Sequence, residues 1–212
     1  MKTLIAIPCM GTVPWEFAQS LIYLNKGENV SVIFKPDSLI YDARNLISLT
    51  AIENHFDRVM WFDSDVVFQP DTLQKLHMDM DEHGCDMVSG LYVKRSLPTE
   101  PVIYETIREP ERQPDGRILK QIVPFTDYPH DDVFTIAGCG FGCVLTSTAL
   151  LKKVWDKFGP AFTPYAWGGE DISFCHRVNQ LGIQIWCDSA VTCGHVGTYI
   201  YTDRDLKRGD AH

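Results

Sequence analysis

The chain has 212 residues, of which 45% are hydrophobic and 22% charged, values that allow one well-buried domain and exclude a disordered protein. Its apolar runs are only a few residues long, so the sequence predicts neither a membrane-spanning helix nor a signal peptide, and we expect a cytoplasmic protein. Lysines and arginines number 19 against 28 aspartates and glutamates, and the net charge of −9 opposes non-specific binding to nucleic acid or to an anionic bilayer.

Strands and helices alternate in the first part of the chain. Short apolar or β-branched runs predict strands at 3–8, 29–35, 58–62 and 85–93. Between these strands, apolar residues recur at helical spacing and predict helices at 14–26, 38–55 and 70–82. This alternation predicts an α/β fold with a mostly parallel, doubly wound sheet.

The pattern changes at about residue 94. Six prolines between 98 and 129 and an Asp-Gly turn at 115–116 predict a hairpin and loops over residues 94–135. A glycine-rich run, two helices and two strands follow, at 137–146, 147–158, 168–182, 183–188 and 190–197. We expect 1–197 to form one domain, and 198–212 to be a polar tail that is mobile or folds over a site.

Seven cysteines are scattered along the chain. An odd number in a chain without a secretion signal predicts reduced thiols, many of them core residues. Cys175, His176, Cys187, Cys193 and His195 lie close enough in sequence for a zinc site to be considered. They include no CxxC pair and no tight histidine spacing, so the pattern favours core thiols over zinc.

Two carboxylates, Asp63 and Asp65, flank Ser64 directly after the predicted strand 58–62. Ligands of open α/β sheets bind beyond the carboxyl ends of the strands. A pair of carboxylates there suits a hard divalent cation with open positions for phosphate oxygens. The alternative is a turn in which both carboxylates accept hydrogen bonds from local amides before the next helix.

A second acidic site, Glu170-Asp171, follows Trp167-Gly168-Gly169 at the predicted start of a helix. Acids there also stabilise the helix dipole, whereas the two glycines would let the backbone approach a ligand closely. His195 stands between glycine and valine after a strand, and a neutral imidazole there is a candidate metal ligand or an ordinary packing residue.

Four segments in this order, "WFDSDVVF", "AGCGFGCVLT", "WGGEDISFCHRVNQLG" and "IWCDSAVTCGHVG", resemble a GT-A-fold glycosyltransferase of the family-2-like kind. The resemblance extends from "LIAIP" at the start to His195. It implies one GT-A domain with a small antiparallel addition, in which 1–93 bind a nucleotide-diphosphate sugar and 94–197 form the acceptor side. It also implies Mn²⁺ or Mg²⁺ and a UDP-sugar, or after it a GDP-sugar, as donor, and it leaves the acceptor open.

The resemblance assigns roles to particular residues. It makes Asp65 and His195 metal ligands, with Asp63 beside them, and Asp171 the general base that takes the acceptor's proton while Glu170 orients hydroxyl groups. The remaining implied donor-site residues are Pro8, Cys9, Asp42, Arg44 and Ser64. The implied acceptor-side residues are Gly138, Gly140, Trp167 and Gly169.

Several alternatives stay open at this point. Some retaining GT-A enzymes carry similar acids, so the stereochemistry is not settled by them. A sugar nucleotidyltransferase is disfavoured because "PCMGTVPWEF" has one glycine and no basic residue, and a non-catalytic binding protein would not need Asp171. The run at 137–146 contains no GxGxxG and follows no first strand, which excludes a dinucleotide fingerprint. Lys94 and Arg95 are either phosphate contacts or solvated surface charges.

Overall fold

The computed structural model describes residues 1–36, 39–197 and 199–205. The strands, numbered in chain order, are β1 (Thr3–Pro8), β2 (Val30–Lys35), β3 (Arg58–Phe62), β4 (Val66–Val67), β5 (Met87–Tyr92), β6 (Ile103–Arg112), β7 (Ile118–Pro124), β8 (Val133–Ile136), β9 (Gly138–Cys139), β10 (Cys143–Ser147), β11 (Ile185–Val196) and β12 (Ile200–Tyr201). The helices are α1 (Trp15–Tyr23), α2 (Ile40–Glu53), α3 (Thr72–His83), α4 (Thr148–Phe158) and α5 (Glu170–Gln180), and a 3₁₀ turn spans Asp203–Asp205.

Most strands belong to one mixed sheet with the order β12-β11-β5-β10-β3-β1-β2, to which β4 and β8 add by pairing with β11. The neighbours β2, β1 and β3 are parallel, as are β5 and β11. The predicted α/β fold with a mostly parallel sheet is confirmed, and β6, β7 and β9 form the small antiparallel sheet.

The position of β10 was not predicted. This strand comes from the glycine-rich run and lies antiparallel between β3 and β5. Four of its five residues are buried, because its apolar run meets a strand on each side and a helix layer on each face. The two final predicted strands are one strand, β11, with a register shift between Asp188 and Thr192.

Local signals determine where several helices begin and end. The Ser147 hydroxyl accepts a hydrogen bond from the Leu150 amide at 2.9 Å and so caps the first turn of α4. Gly84, with φ of +59°, ends α3 in the left-handed conformation that glycine tolerates best. Helix α5 begins at Glu170, two residues later than predicted. The predicted tail, 198–212, contributes β12 and the 3₁₀ turn, while its residue 198 and residues 206–212 lie outside the described residues.

The core has one cluster on each face of the main sheet. On one face, α2, α4 and α5 cover Trp61, and the rings of Phe162 and Phe174 stack with centroids 4.5 Å apart. On the other face, α1 and α3 cover Phe62, which stacks on Phe68 at 3.9 Å. Strands covered on both faces are buried along their length, which explains the continuous apolar runs of β1 and β3. Among the described residues, no helix has the length and apolar character needed to cross a membrane.

Candidate functional site

Asp63, Ser64 and Asp65 leave the end of β3 as a tight turn at the carboxyl edge of the sheet. The Asp63 amide donates to the Gly142 carbonyl at 3.1 Å, and the Val66 amide donates back to the Asp63 carbonyl at 3.3 Å. The three side chains are half-buried. The turn leads into β4, and the pairing of β4 with β11 determines which side chains contact Asp65.

Asp65 and His195 are brought together by the pairing of β4 with β11. Val66 lies opposite His195 in this register, which puts His195 Nε2 3.4 Å from Asp65 Oδ1. His195 Nδ1 lies 2.9 Å from the Val93 carbonyl, which can only accept, so Nδ1 carries a proton and Nε2 is directed at Asp65. The other carboxylate oxygen of Asp65 forms a 3.0 Å ion pair with Arg95 Nη1.

The charge state of Asp65 follows from these contacts. Burial alone would raise its pKa, but the hydrogen bond from His195 and the positive charges of His195 and Arg95 outweigh burial and leave the pKa of Asp65 below its ordinary value. Asp65 is therefore a carboxylate at neutral pH, with a cation already beside it.

Asp63 faces a different cation, the buried Arg44 of α2. Arg44 Nη2 lies 2.7 Å from Asp63 Oδ1, and Arg44 Nε lies 3.5 Å from Glu170 Oε1. Only 1% of Arg44 is exposed, and its guanidinium carbon is 5.1 to 5.9 Å from the centres of three rings, those of Phe141, Trp61 and Phe162. Arg44 thus joins the two predicted acidic motifs into one site, and removing it would leave two acids without their shared cation.

Asp171 lies in the first turn of α5, next to Glu170. Burial, and after it the charge of Glu170, raises the pKa of Asp171 to about 6. Its Oδ1 accepts a hydrogen bond from the Ile172 amide at 2.7 Å. A Cβ on Gly169 would lie 2.9 Å from the same oxygen, so a glycine there leaves the carboxylate room. This is the environment of a carboxylate poised to accept a proton near neutral pH.

Tyr92, at the end of β5, is a site residue that the sequence did not indicate. Burial raises the pKa of its hydroxyl well above the ordinary value, and the charges of Asp63 and Asp171 raise it further. Its ring centroid is 5.4 Å from that of His195. The only sequence signal was its position at a strand end on the same edge as Asp63.

The predicted acceptor-side glycines are buried and tightly packed. A Cβ on Gly138 would lie 2.4 Å from Ile107, and one on Gly140 would lie 2.7 Å from Val102 and 2.9 Å from Tyr92. The close packing accounts for glycine at both positions, and their acceptor role stays a prediction.

Trp167 is half-buried and stacks on Tyr165 with centroids 5.0 Å apart. It also lines a cavity of about 500 Å³ between its loop and the β6–β7 hairpin, with Glu109, Gln121 and Ile122 among the other lining residues.

The remaining predicted donor-site residues lie at the same edge or near it. Pro8 is buried at the end of β1, and the Cys9 amide donates to the Lys35 carbonyl at 3.1 Å. Asp42 is exposed in the first turn of α2. Asp42 is two positions before Arg44, a spacing that directs the two side chains to roughly opposite sides of the helix.

The residues considered for zinc do not converge. Within the described residues, no three His, Cys, Asp or Glu side chains are grouped so that they could hold a metal. The Cys175 thiol instead donates to the Cys139 carbonyl in the core. Asp65 and His195 form a pair rather than a complete cage, so a metal there would need further ligands from a bound molecule.

Comparison with known proteins agrees with this architecture. The model of the family described as glycosyl transferase family 2 matches residues 15–155. The crystal structure of A197 from STIV is similar over 100% of both chains, with a TM-score of 0.67 and 20% identity. The crystal structure of GalNAc-T7 with UDP, GalNAc and Mn²⁺ is similar over 99% of this chain and 45% of that one, with a TM-score of 0.61 and 10% identity. Among curated proteins, none matches the chain in sequence. These likenesses confirm the predicted GT-A fold.

Proposed function

Because the chain belongs to glycosyl transferase family 2, we propose that it is a metal-dependent enzyme that moves a sugar from a nucleotide-diphosphate sugar to an acceptor hydroxyl, with inversion. The observation that carries this proposal is the ion-pair network of Arg44. It holds Asp63 at 2.7 Å and Glu170 at 3.5 Å, so the two acidic motifs are parts of one site.

Asp65 and His195 are the residues that would hold Mn²⁺ or Mg²⁺. Val93 keeps one proton of His195 on Nδ1, so Nε2 is the nitrogen that could bind a metal once it gives up the proton it shares with Asp65, and Nε2 and the Asp65 carboxylate converge on one position. A metal bound there would neutralise charge on the diphosphate. Asp63 is held by Arg44 and would act beside this position, on the ribose or through water.

Asp171 is the proposed base. The acceptor oxygen attacks the anomeric carbon and gives its proton to the Asp171 carboxylate, while the bond from that carbon to the diphosphate oxygen breaks and its electron pair leaves on the diphosphate. A pKa of about 6 makes Asp171 mostly ionised at pH 7 and still a useful proton acceptor. Attack from the side opposite the leaving group gives inversion.

The donor is proposed to bind along the edge formed by the ends of β1, β3 and β5, with Pro8, Cys9 and Ser64 lining the nucleotide. Arg44 is buried and would contribute by positioning Asp63, and the exposed Asp42 would lie at the periphery of the donor site. UDP is the first nucleotide to test and GDP the second, since the similar GalNAc-T7 structure holds UDP and Mn²⁺.

The acceptor is proposed to approach from the half formed by residues 94–197, past the exposed Gly169, with Gly138 and Gly140 buried in the same half. Trp167 is four positions before Asp171, and the cavity that it lines is bounded by the β6–β7 hairpin. An indole ring beside polar side chains such as Glu109 suits a ligand with both apolar and hydroxyl-bearing faces.

Thermal unfolding with UDP, GDP, CDP or dTDP, each with and without Mn²⁺, tests the proposal. A nucleotide at a hundred times its dissociation constant adds about 2.7 kcal/mol. That should raise the midpoint by about 5–10 °C for a chain of this size. We expect one nucleotide to stabilise the wild type only with Mn²⁺; no shift with any of them would refute the proposed donor site. A shift without sugar transfer to any hydroxyl acceptor or water would instead indicate a binding protein.

A further inference from the structure

Arg95 forms an ion pair with Asp65, the carboxylate proposed to bind the metal. We infer that Arg95 is a displaceable cation, which pairs with Asp65 before a metal binds and moves to the donor diphosphate when a metal takes its place. Arg95 thereby couples the binding of metal and diphosphate. This inference rests on the proposed function, because it requires a metal at Asp65.

The contacts of Asp65 leave little room for a metal unless a group moves. One carboxylate oxygen lies 3.4 Å from His195 Nε2, and the other lies 3.0 Å from Arg95 Nη1. A divalent cation that binds both Asp65 and His195 therefore meets a guanidinium of the same sign. Arg95 is the group that can leave, because 52% of its side chain is exposed, whereas 11% of the His195 side chain is.

Hydrogen bonds fix the backbone next to Arg95, whereas its side chain is half exposed to solvent. The Lys94 amide donates to the Glu100 carbonyl at 2.9 Å, and the Thr99 hydroxyl donates to the Lys94 carbonyl at 2.6 Å. Val93, two residues before Arg95, accepts the hydrogen bond that orients His195. One short segment thus positions the histidine of the site and carries its movable cation.

The two arginine–aspartate pairs of the site differ in how easily they can break: the Arg44–Asp63 pair is permanent and the Arg95–Asp65 pair is temporary. Arg44 is 1% exposed and its pair with Asp63 is enclosed by aromatic rings, so breaking that pair would leave a buried charge. The pair of Arg95 with Asp65 is partly solvated and costs little to break. Since one metal would contact both Asp65 and the diphosphate, the diphosphate is the nearest new anion for Arg95, and a guanidinium binds phosphate oxygens in a bidentate manner.

Two opposite effects follow from this exchange. Without a diphosphate, Arg95 competes with the metal for Asp65 and weakens metal binding. With a diphosphate, the displaced Arg95 gains a partner, so each ligand strengthens the binding of the other by the same factor. An arginine with only a structural role would not produce effects of opposite sign.

Calorimetric titrations of wild type, Arg95→Ala, Arg95→Lys and Arg117→Ala test the inference, with Mn²⁺ alone, UDP alone and UDP at saturating Mn²⁺. Arg117 is a matched control, since it is exposed and paired with Asp115 at 2.6 Å at the turn of the β6–β7 hairpin. For Arg95→Ala we expect Mn²⁺ alone to bind about two- to fivefold more tightly, the usual worth of an exposed ion pair. We also expect the factor by which Mn²⁺ strengthens UDP binding to fall by at least as much. Arg95→Lys should lie between wild type and Arg95→Ala, and Arg117→Ala should match wild type.

The outcomes separate this inference from the proposed function. Weaker or unchanged Mn²⁺ binding in Arg95→Ala, with wild-type Mn²⁺ and UDP binding intact, would overturn the role of Arg95 and leave the proposed function standing. A wild type that binds neither Mn²⁺ nor UDP would overturn both. Tighter Mn²⁺ binding with an unchanged coupling factor would show competition without transfer to the diphosphate, and would overturn the exchange.

Discussion

Replacing Asp171 with asparagine tests the proposed base most directly. Asparagine keeps the size of the side chain and cannot accept a proton, so we expect sugar transfer to fall by about 10²–10⁴-fold. Donor binding should survive, because the donor-side carboxylates Asp63 and Asp65 pair with other cations, Arg44 and Arg95. The assay is the transfer rate under saturating donor, together with the nucleotide-dependent shift in unfolding temperature.

The pKa of Asp171 adds a quantitative signature. With a pKa of about 6, the ionised fraction is about one tenth at pH 5 and about nine tenths at pH 7. The wild-type rate at saturating substrate should therefore rise about tenfold between these pH values, and the residual rate of Asp171→Asn should lack this rise. A mutant with the full rate, or one that keeps the same acidic limb, would show that the base is elsewhere.

The same pKa predicts a stability effect of known sign. The pKa of Asp171 is higher in the folded state than the ordinary value of 3.8, so the folded state favours the protonated form. This contribution is fully present below pH 3.8 and is lost as the pH rises through about 6. Asp171→Asn should therefore unfold at a higher temperature than wild type at pH 8, with a smaller difference at pH 5. A lower unfolding temperature at pH 8 would contradict the burial argument.

Other substitutions test the rest of the site. Asp65→Ala should abolish the Mn²⁺-dependent shift with nucleotide while the unliganded protein unfolds cooperatively, and a retained shift would remove Asp65 from the metal site. Gly142→Ala places a Cβ 2.9 Å from the ring of Tyr92 and should cost about 1–3 kcal/mol in urea unfolding, so an unchanged midpoint would contradict the tight packing. Trp167→Ala should raise the acceptor KM without changing donor affinity, with Ile118→Ala, a 66% exposed residue lining the same cavity, as the milder control. Equal increases in acceptor KM for Trp167→Ala and Ile118→Ala would show that the indole ring has no specific role in acceptor binding.

What the sequence by itself determined is local or periodic. Short apolar runs alternate with segments whose apolar residues recur at helical spacing, and this alternation was enough to predict β1 to β3 and α1 to α3. Strands buried on both faces produce the runs, and amphipathic helices produce the spacing. The same pattern placed Asp63 and Asp65 beyond the end of β3, and the glycines before Glu170 indicated a close approach at the start of α5. These predictions required no knowledge of which strands are neighbours.

Only the tertiary structure decided which charges meet. The insertion of β10 between β3 and β5, and the register of β4 on β11, place Asp65 beside His195, which is 130 positions away in the chain. Arg44, which the resemblance implied as a donor-site residue, is buried and pairs with both acidic motifs. Ion pairing depends on distances between side chains from distant strands and helices, and no local periodicity records those distances. For the same reason, a motif of carboxylates could be read from the sequence while the cations that face it, Arg44 and Arg95, could not be assigned to it.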